Sequence, residues 1–513
     1  MSFYQINQIP NNFKIEYGQP PNDVPMDTLV HNWSFNMVNT KDLFVNNCQI
    51  HIGQDAGYKG QQAFTTAVGC HAGAYNQGTG ATAIGVSCGN TGQGSFATAM
   101  GSEAGKSNQQ DYAVAIGAQA GQTLQGTGSI ALGLYAGQSN QRSESVAIGQ
   151  QAGQFSQGGI VGNAIAIGNN AGNTSQGGNT IAIGQQAGYS NQTWDGIAIG
   201  HDAGHDNQGQ YSIAVGRSAG YDTQGIESIA LGLYAGNSSQ GGYAVAIGKN
   251  AGQNSQGGDA IAIGLSCGTN NQGFNSIAIG NAAAYNTQGV EAIAIGYGAG
   301  QTSQQTFAVA LGRFAGNATQ GSGSVAIGYG AGNSSQDQYA VSLGDEAGYN
   351  SQSQKAVAIG YYAGHDNQSD SAVSIGQGAG QTSQDINSIA IGNHAAAESQ
   401  RQYSIAIGYE AGYSNQGITA GPAPGNSIAI GTQAGYSNQG DFTIAIGSYA
   451  GQTSQADNSI VLNATGTALN PTTSGLFVNP IRQGVSAPTG AVENCLYYDQ
   501  ATFEILFYGP YAP

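Results

Sequence analysis

Along most of the chain, two aliphatic positions flanking one small residue precede a glycine, and the unit returns every 16 residues. Ser276-Ile277-Ala278-Ile279-Gly280 is a representative copy. The anchor glycines run from Gly53 to Gly149, from Gly168 to Gly408, and end at Gly431 and Gly447, giving 25 copies. With the glycine numbered zero, position −3 is Ile, Val or Thr throughout, and −1 is Ile, Leu, Val or Met. This alternation predicts a short β-strand at −3 to −1. Position −2 is Ala in 22 of 25 copies, with His51, Ser342 and Ser374 as exceptions. Position +3 is Ala or, at Cys88 and Cys267, Cys; +4 is Gly except at Ala284 and Ala396; +8 is Gln in every copy. Glycines at 0 and +4 mark bends or the close approach of another backbone.

A fixed short period predicts a solenoid, in which each copy is one coil that buries its inner side only by stacking on its neighbours. The expected fold is all-β, a parallel β-solenoid (β-roll) of about 25 sixteen-residue coils with caps at both ends. Coils about 4.8 Å apart would let identical glutamines hydrogen-bond up the stack, so Gln272, Gln288 and Gln304 are read as part of an amide ladder. The aliphatic pair, Ile277 and Ile279, is expected to fill the coil interior. The nearly constant alanine then lies on the opposite face, and Ala262, Ala278 and Ala294 are predicted to contact another subunit.

Residues 1–47 fall outside the repeat and read as an arm and cap, 48–463 as the array, and 464–513 as a C-terminal β cap or knob. A decayed copy stands at Ile460-Val461-Leu462-Asn463, after which the register is read as lost. Gly475–Arg482 reads as a strand ended by Pro480. Leu496-Tyr497-Tyr498 and Phe503–Tyr508 read as a hairpin around a four-residue loop. Extra residues enter the array around Gly158–Gly162 and Ile418–Pro424, each after the +8 Gln and before the next strand. That corner is therefore predicted to face solvent.

Only 8% of the residues are charged and the net charge is −17, which disfavours nucleic acid and anionic membrane surfaces. Five scattered cysteines offer no disulfide framework and point to assembly in a reducing cytoplasm. No secretory signal and no apolar span long enough for membrane insertion is seen. His201-Asp202 and His205-Asp206 are the only clustered histidines, and they lack the convergent ligands of a metal site. Gly328-Tyr329-Gly330-Ala331-Gly332 follows a strand but is followed by no helix, so it is no dinucleotide loop. No catalytic constellation is present; no enzyme activity, metal or cofactor is expected. Tyrosines at +1 and +2, among them Tyr361, Tyr362 and Tyr409, are candidates for stacking on a host-surface glycan.

The core Ile-Ala-Ile-Gly-x-x-Ala-Gly resembles the head repeat of trimeric autotransporter adhesins over about residues 48–463. The resemblance implies a left-handed β-roll and a homotrimer. The period of 16 is slightly longer than is usual there, and no coiled-coil stalk or membrane barrel follows. The segment Gly475–Arg482 with Leu496–Asp499 and Thr502–Ile505 resembles the closing segment of fibre-like proteins of large DNA viruses. Together these predict a rigid trimeric rod, a structural fibre or surface protein of a virion, contacting capsid protein and serving attachment. The alternatives are a bacterial-type adhesin head that binds glycans or matrix, and an ice- or crystal-binding solenoid. For the last, no column of paired threonines persists.

Overall fold

The computed structural model describes residues 48–417 and 425–480, together with the strands Cys495–Asp499 and Glu504–Tyr508. The array is a parallel β-solenoid, and no α-helix occurs among the described residues. Every −3 to −1 segment is a three-residue strand paired in parallel with the next, always in register; Ile277, Ala278 and Ile279 face Ile293, Ala294 and Ile295. Twenty-seven strands join into one sheet along the molecule. At a coil rise of about 4.8 Å this makes a rod of roughly 125 Å. A second line of short strands at +6 to +8, such as Asn286–Gln288, forms shorter parallel sheets on the other side of the coil.

Sixteen residues close a coil because five of its positions take positive φ. In the coil of Gly280 they are Gly280 itself, Ala282, Ala284, Thr287 and Glu291. At zero only glycine fits: Gly280 has φ +126°, and a Cβ there would stand 2.6 Å from the carbonyl oxygen of Gly296. The turns are also bonded coil to coil, as in Ala282 N–H to the Leu265 carbonyl and Glu291 N–H to that of Phe274, so little backbone is left unpaired.

The structure reverses the expected orientation of the strand. Ala262, Ala278 and Ala294 are fully buried inside their own coils and cannot contact another subunit. Ile277 and Ile279 point outward and are partly exposed. The reason is the width of the coil. A single glutamine side chain spans it: Gln288 Nε2, on one strand, donates to the Ile277 carbonyl on the other at 2.9 Å. What remains beside the glutamine is filled by Ala278, Ala283 and Ser276, all without exposed surface. From Gly69 to Gly447 the inward −2 residue is never larger than Ser. Two of the three exceptions to alanine confirm the direction, since Ser342 and Ser374 donate at 2.6 Å to Gln352 Oε1 and Gln384 Oε1 in the interior. Cys88 and Cys267, at +3, also face inward, and burial pushes both thiols up to about 12.

The array does not stop at Asn463. Ser459–Asn463 pairs in parallel with Gly475–Asn479, again 16 residues on, so this segment is a further coil and not part of a separate cap. Asn463 and Asn479 stand where the anchor glycine stood. The inward −2 column ends in Ala445, Val461 and Phe477, with Phe477 and Leu469 packed on the last alanines. Growing side chains thus close the C-terminal end of the tube. At the other end His51 takes the −2 position, where its Nε2 lies 3.4 Å from Thr65 Oγ1. Cys495–Asp499 and Glu504–Tyr508 form the expected antiparallel hairpin. The arm at 1–47 and the insertion at 418–424 lie outside the described residues.

Candidate functional surfaces

Turning the aliphatic pair outward leaves a continuous apolar face. It consists of two columns, −3 and −1, on one long parallel sheet. Ile199 is 37% exposed, Leu311 42% and Leu343 42%; the −3 residues beside them are mostly half-buried. Parallel sheets are ordinarily covered on both faces. This one is covered on the inner face only.

The glutamine column forms the predicted ladder in runs. From Gln288 an unbroken series of Nε2–Oε1 bonds, 3.0–3.2 Å long, passes through Gln304 and on to Gln416. The rung between Gln272 and Gln288 is missing. Gln272 Nε2 donates only to the carbonyls of Ile261 and Ser276, and the Oε1 atoms of both glutamines are buried without a partner. The glutamines are inner-wall groups whose main task is bonding across the coil.

The singled-out tyrosines are not gathered into one site. Tyr361 and Tyr409 are half-exposed and lie three coils apart. Tyr362 sits 4.4 Å from the Tyr361 ring and stacks on His365 at 4.7 Å, and His365 stacks in turn on Tyr349. A hydrogen bond to Glu346 raises the Tyr362 hydroxyl to about 12. His365 lies 3.3 Å from Glu346 and 2.9 Å from Asp366. His205 is likewise clamped between Tyr189 and Tyr221, with Asp206 at 3.0 Å; His201 pairs with Asp202 at 2.8 Å. Each imidazole thus has a neighbouring carboxylate, and His205 and His365 are stacked between rings as well. No group of three His, Cys, Asp or Glu suited to a metal ion occurs among the described residues.

One surface feature was missed in the sequence reading. The corner before the strand, at −5 and −6, carries large exposed aromatics, including Tyr211, Tyr243, Phe274, Phe307 and Tyr339. The signal that finds them is a second period, of 32 residues, superimposed on the first. The insertion Gly158–Gly162 lies on this same corner with Ile160 81% exposed, which bears out the solvent-facing expectation.

No helix among the described residues is long and apolar enough to cross a membrane. No curated protein and no solved structure matches the chain. Residues 386–411, which hold the strands Ile389–Ile391 and Ile405–Ile407, match the family described as YadA head domain repeat, in two copies. In these two coils, and in the solenoid architecture around them, the chain is similar to the heads of trimeric autotransporter adhesins.

Proposed function

We propose that the protein is a rigid, adhesin-like surface rod without enzymatic activity, assembled from several copies of this chain through the outward −3/−1 face. The observation that carries the reading is that face: a strip of half-exposed side chains, all Ile, Val or Leu from Val114 onward, along a parallel sheet. Monomers rarely leave such a strip uncovered. A contact of only about 40 Å² per coil, repeated over some 25 coils, reaches the ~1,000 Å² that a specific interface needs. A second copy offers an identical strip at the same coil rise, so the whole length can be covered at once. Three copies are taken from the adhesin resemblance; the strip itself requires only a close neighbour. The matched repeat favours a bacterial-type adhesin head over the virion fibre. The viral reading rested on the tail, whose first strand is a coil of the solenoid.

Sedimentation of the purified chain tests the assembly. The expected mass is three times the 51.8 kDa chain, with a far-ultraviolet spectrum of β type. A stable species of single-chain mass would remove the reading.

A further inference from the structure

Along the −5/−6 corner the side chains alternate in kind. Every second coil, from that of Gly216 to that of Gly344, carries one exposed ring: Tyr211, Tyr243, Phe274, Phe307, Tyr339. The coils between them carry Glu227, Asp259, Glu291 and Gly323 at −5. The three acids are exposed and make no salt bridge among the described residues. Successive rings therefore stand roughly 9.6 Å apart, with a carboxylate or a glycine midway.

The rings lie against the rod. A Cβ on Gly323 would be 3.0 Å from Tyr339 Cδ1, and one on Gly258 would be 3.4 Å from Phe274 Cδ1, so these two rings cover a glycine of the preceding coil. They remain 51–61% exposed. A shallow furrow lined by hydroxyls and amides, among them Thr319, Ser335 and Ser351, reaches Gln338, the residue before Tyr339.

Folding does not explain these rings. Tyr211, Tyr243, Phe307 and Tyr339 all hold φ between 58° and 61°, a region bulky side chains avoid. Asn, which tolerates it best, occupies the same position at Asn163, Asn387 and Asn458. The aromatics thus stand where a smaller polar residue would be more stable, and they bury little. Strain kept at an exposed, periodic site points to binding.

We infer that this corner is a binding track for an extended, uncharged β-linked glycan of the chitin or cellulose type. Flat rings stack on the apolar faces of pyranose units. Their two-coil spacing is close to the disaccharide repeat of such a chain, in which alternate sugars present the same face. Carboxylates and furrow hydroxyls accept and donate hydrogen bonds to sugar hydroxyls. The acids repel sulfated or sialylated chains, and no Lys or Arg stands at −5 or −6 of these coils to offset them. Several weak contacts on one rigid ruler add through effective concentration. The corner is free in the assembly, because it is where the array admits insertions. The inference deepens the adhesive reading, on which it rests for its context.

The test compares the wild-type rod with a variant carrying Tyr243→Asn, Phe307→Asn and Tyr339→Asn. Chitohexaose and cellohexaose serve as soluble probes, crystalline chitin and cellulose as solid ones, and dextran and heparin as controls. The expected result is wild-type binding to at least one β-linked probe and to neither control, weakened about tenfold or more in the variant. Sedimentation mass and thermal stability of the variant should be unchanged or, for stability, higher. No wild-type binding to either β-linked probe overturns the inference, and so does equal binding by the variant. Because mass is read separately, a failed assembly is distinguishable from a failed glycan site.

Discussion

Substituting Gln for Ala262, Ala278 and Ala294 together is expected to open the middle of the solenoid. All three methyl groups face the interior with no exposed surface. Each sits beside a glutamine that already spans the coil, and near the +4 glycine: a Cβ on Gly268 would be 3.3 Å from that of Ala262. Overpacking a tight core costs about 1–3 kcal/mol per site. Three successive coils therefore lose several kcal/mol together. A solenoid is held mainly by nearest-neighbour contacts, so the loss stays local and splits the rod into two stretches. Limited proteolysis should cut between about residues 255 and 300, where the wild type resists, and hydrogen exchange should accelerate there. Had the alanines formed a contact between subunits, the same variant would keep its protected coils and lose only mass.

Replacing the anchor Gly280 by alanine is the second large effect. The backbone at φ +126° is open to glycine alone, and the added methyl would lie 2.6 Å from the Gly296 oxygen and 2.9 Å from its carbonyl carbon. Both obstacles are backbone, so the two coils must part. Strain of this kind costs about 1–3 kcal/mol before the clash is counted. The expected total is above about 3 kcal/mol, read as faster exchange in the strands on either side of residue 280. Gly466 is the contrast, because nothing lies within 4 Å of its would-be Cβ. Gly466→Ala should be felt little, apart from its positive φ.

Much of the fold was legible because repetition multiplies a weak signal. A three-residue strand such as Ile277–Ile279 is too short to predict alone; 25 copies in phase are not. The inner glutamines and the solvent-facing corner followed from invariance and from insertions. The direction of the strand did not follow. Alternation says that Ile277 and Ala278 face opposite ways, never which way is in. The volumes that decide it were nevertheless in the sequence. With Ala at +3, Gly at +4 and a spanning Gln at +8, the interior favours only a small residue, Ala or Ser, at −2. The last coil was missed because Asn463 and Asn479 replace the anchor glycine, although the spacing of 16 persists. The glycan track was missed because its period is twice that of the repeat and it mixes Tyr with Phe.

The central claim is that alanine lies inside the coil and the aliphatic pair outside it, on the surface that joins the chains. Thiol labelling of two single variants, Ala278→Cys and Ile279→Cys, tests it most directly when read peptide by peptide. The buried Cys88 and Cys267 serve as internal references for an inward thiol, and the exposed Cys48 for an open one. The predicted result is that Cys at 278 stays unreactive, like Cys88, until the coil itself unfolds. Cys at 279 should be shielded in the assembly and should react once the chains are separated by mild detergent, while the β-type spectrum persists. A thiol at 278 that reacts under those conditions while one at 279 remains protected would contradict the account.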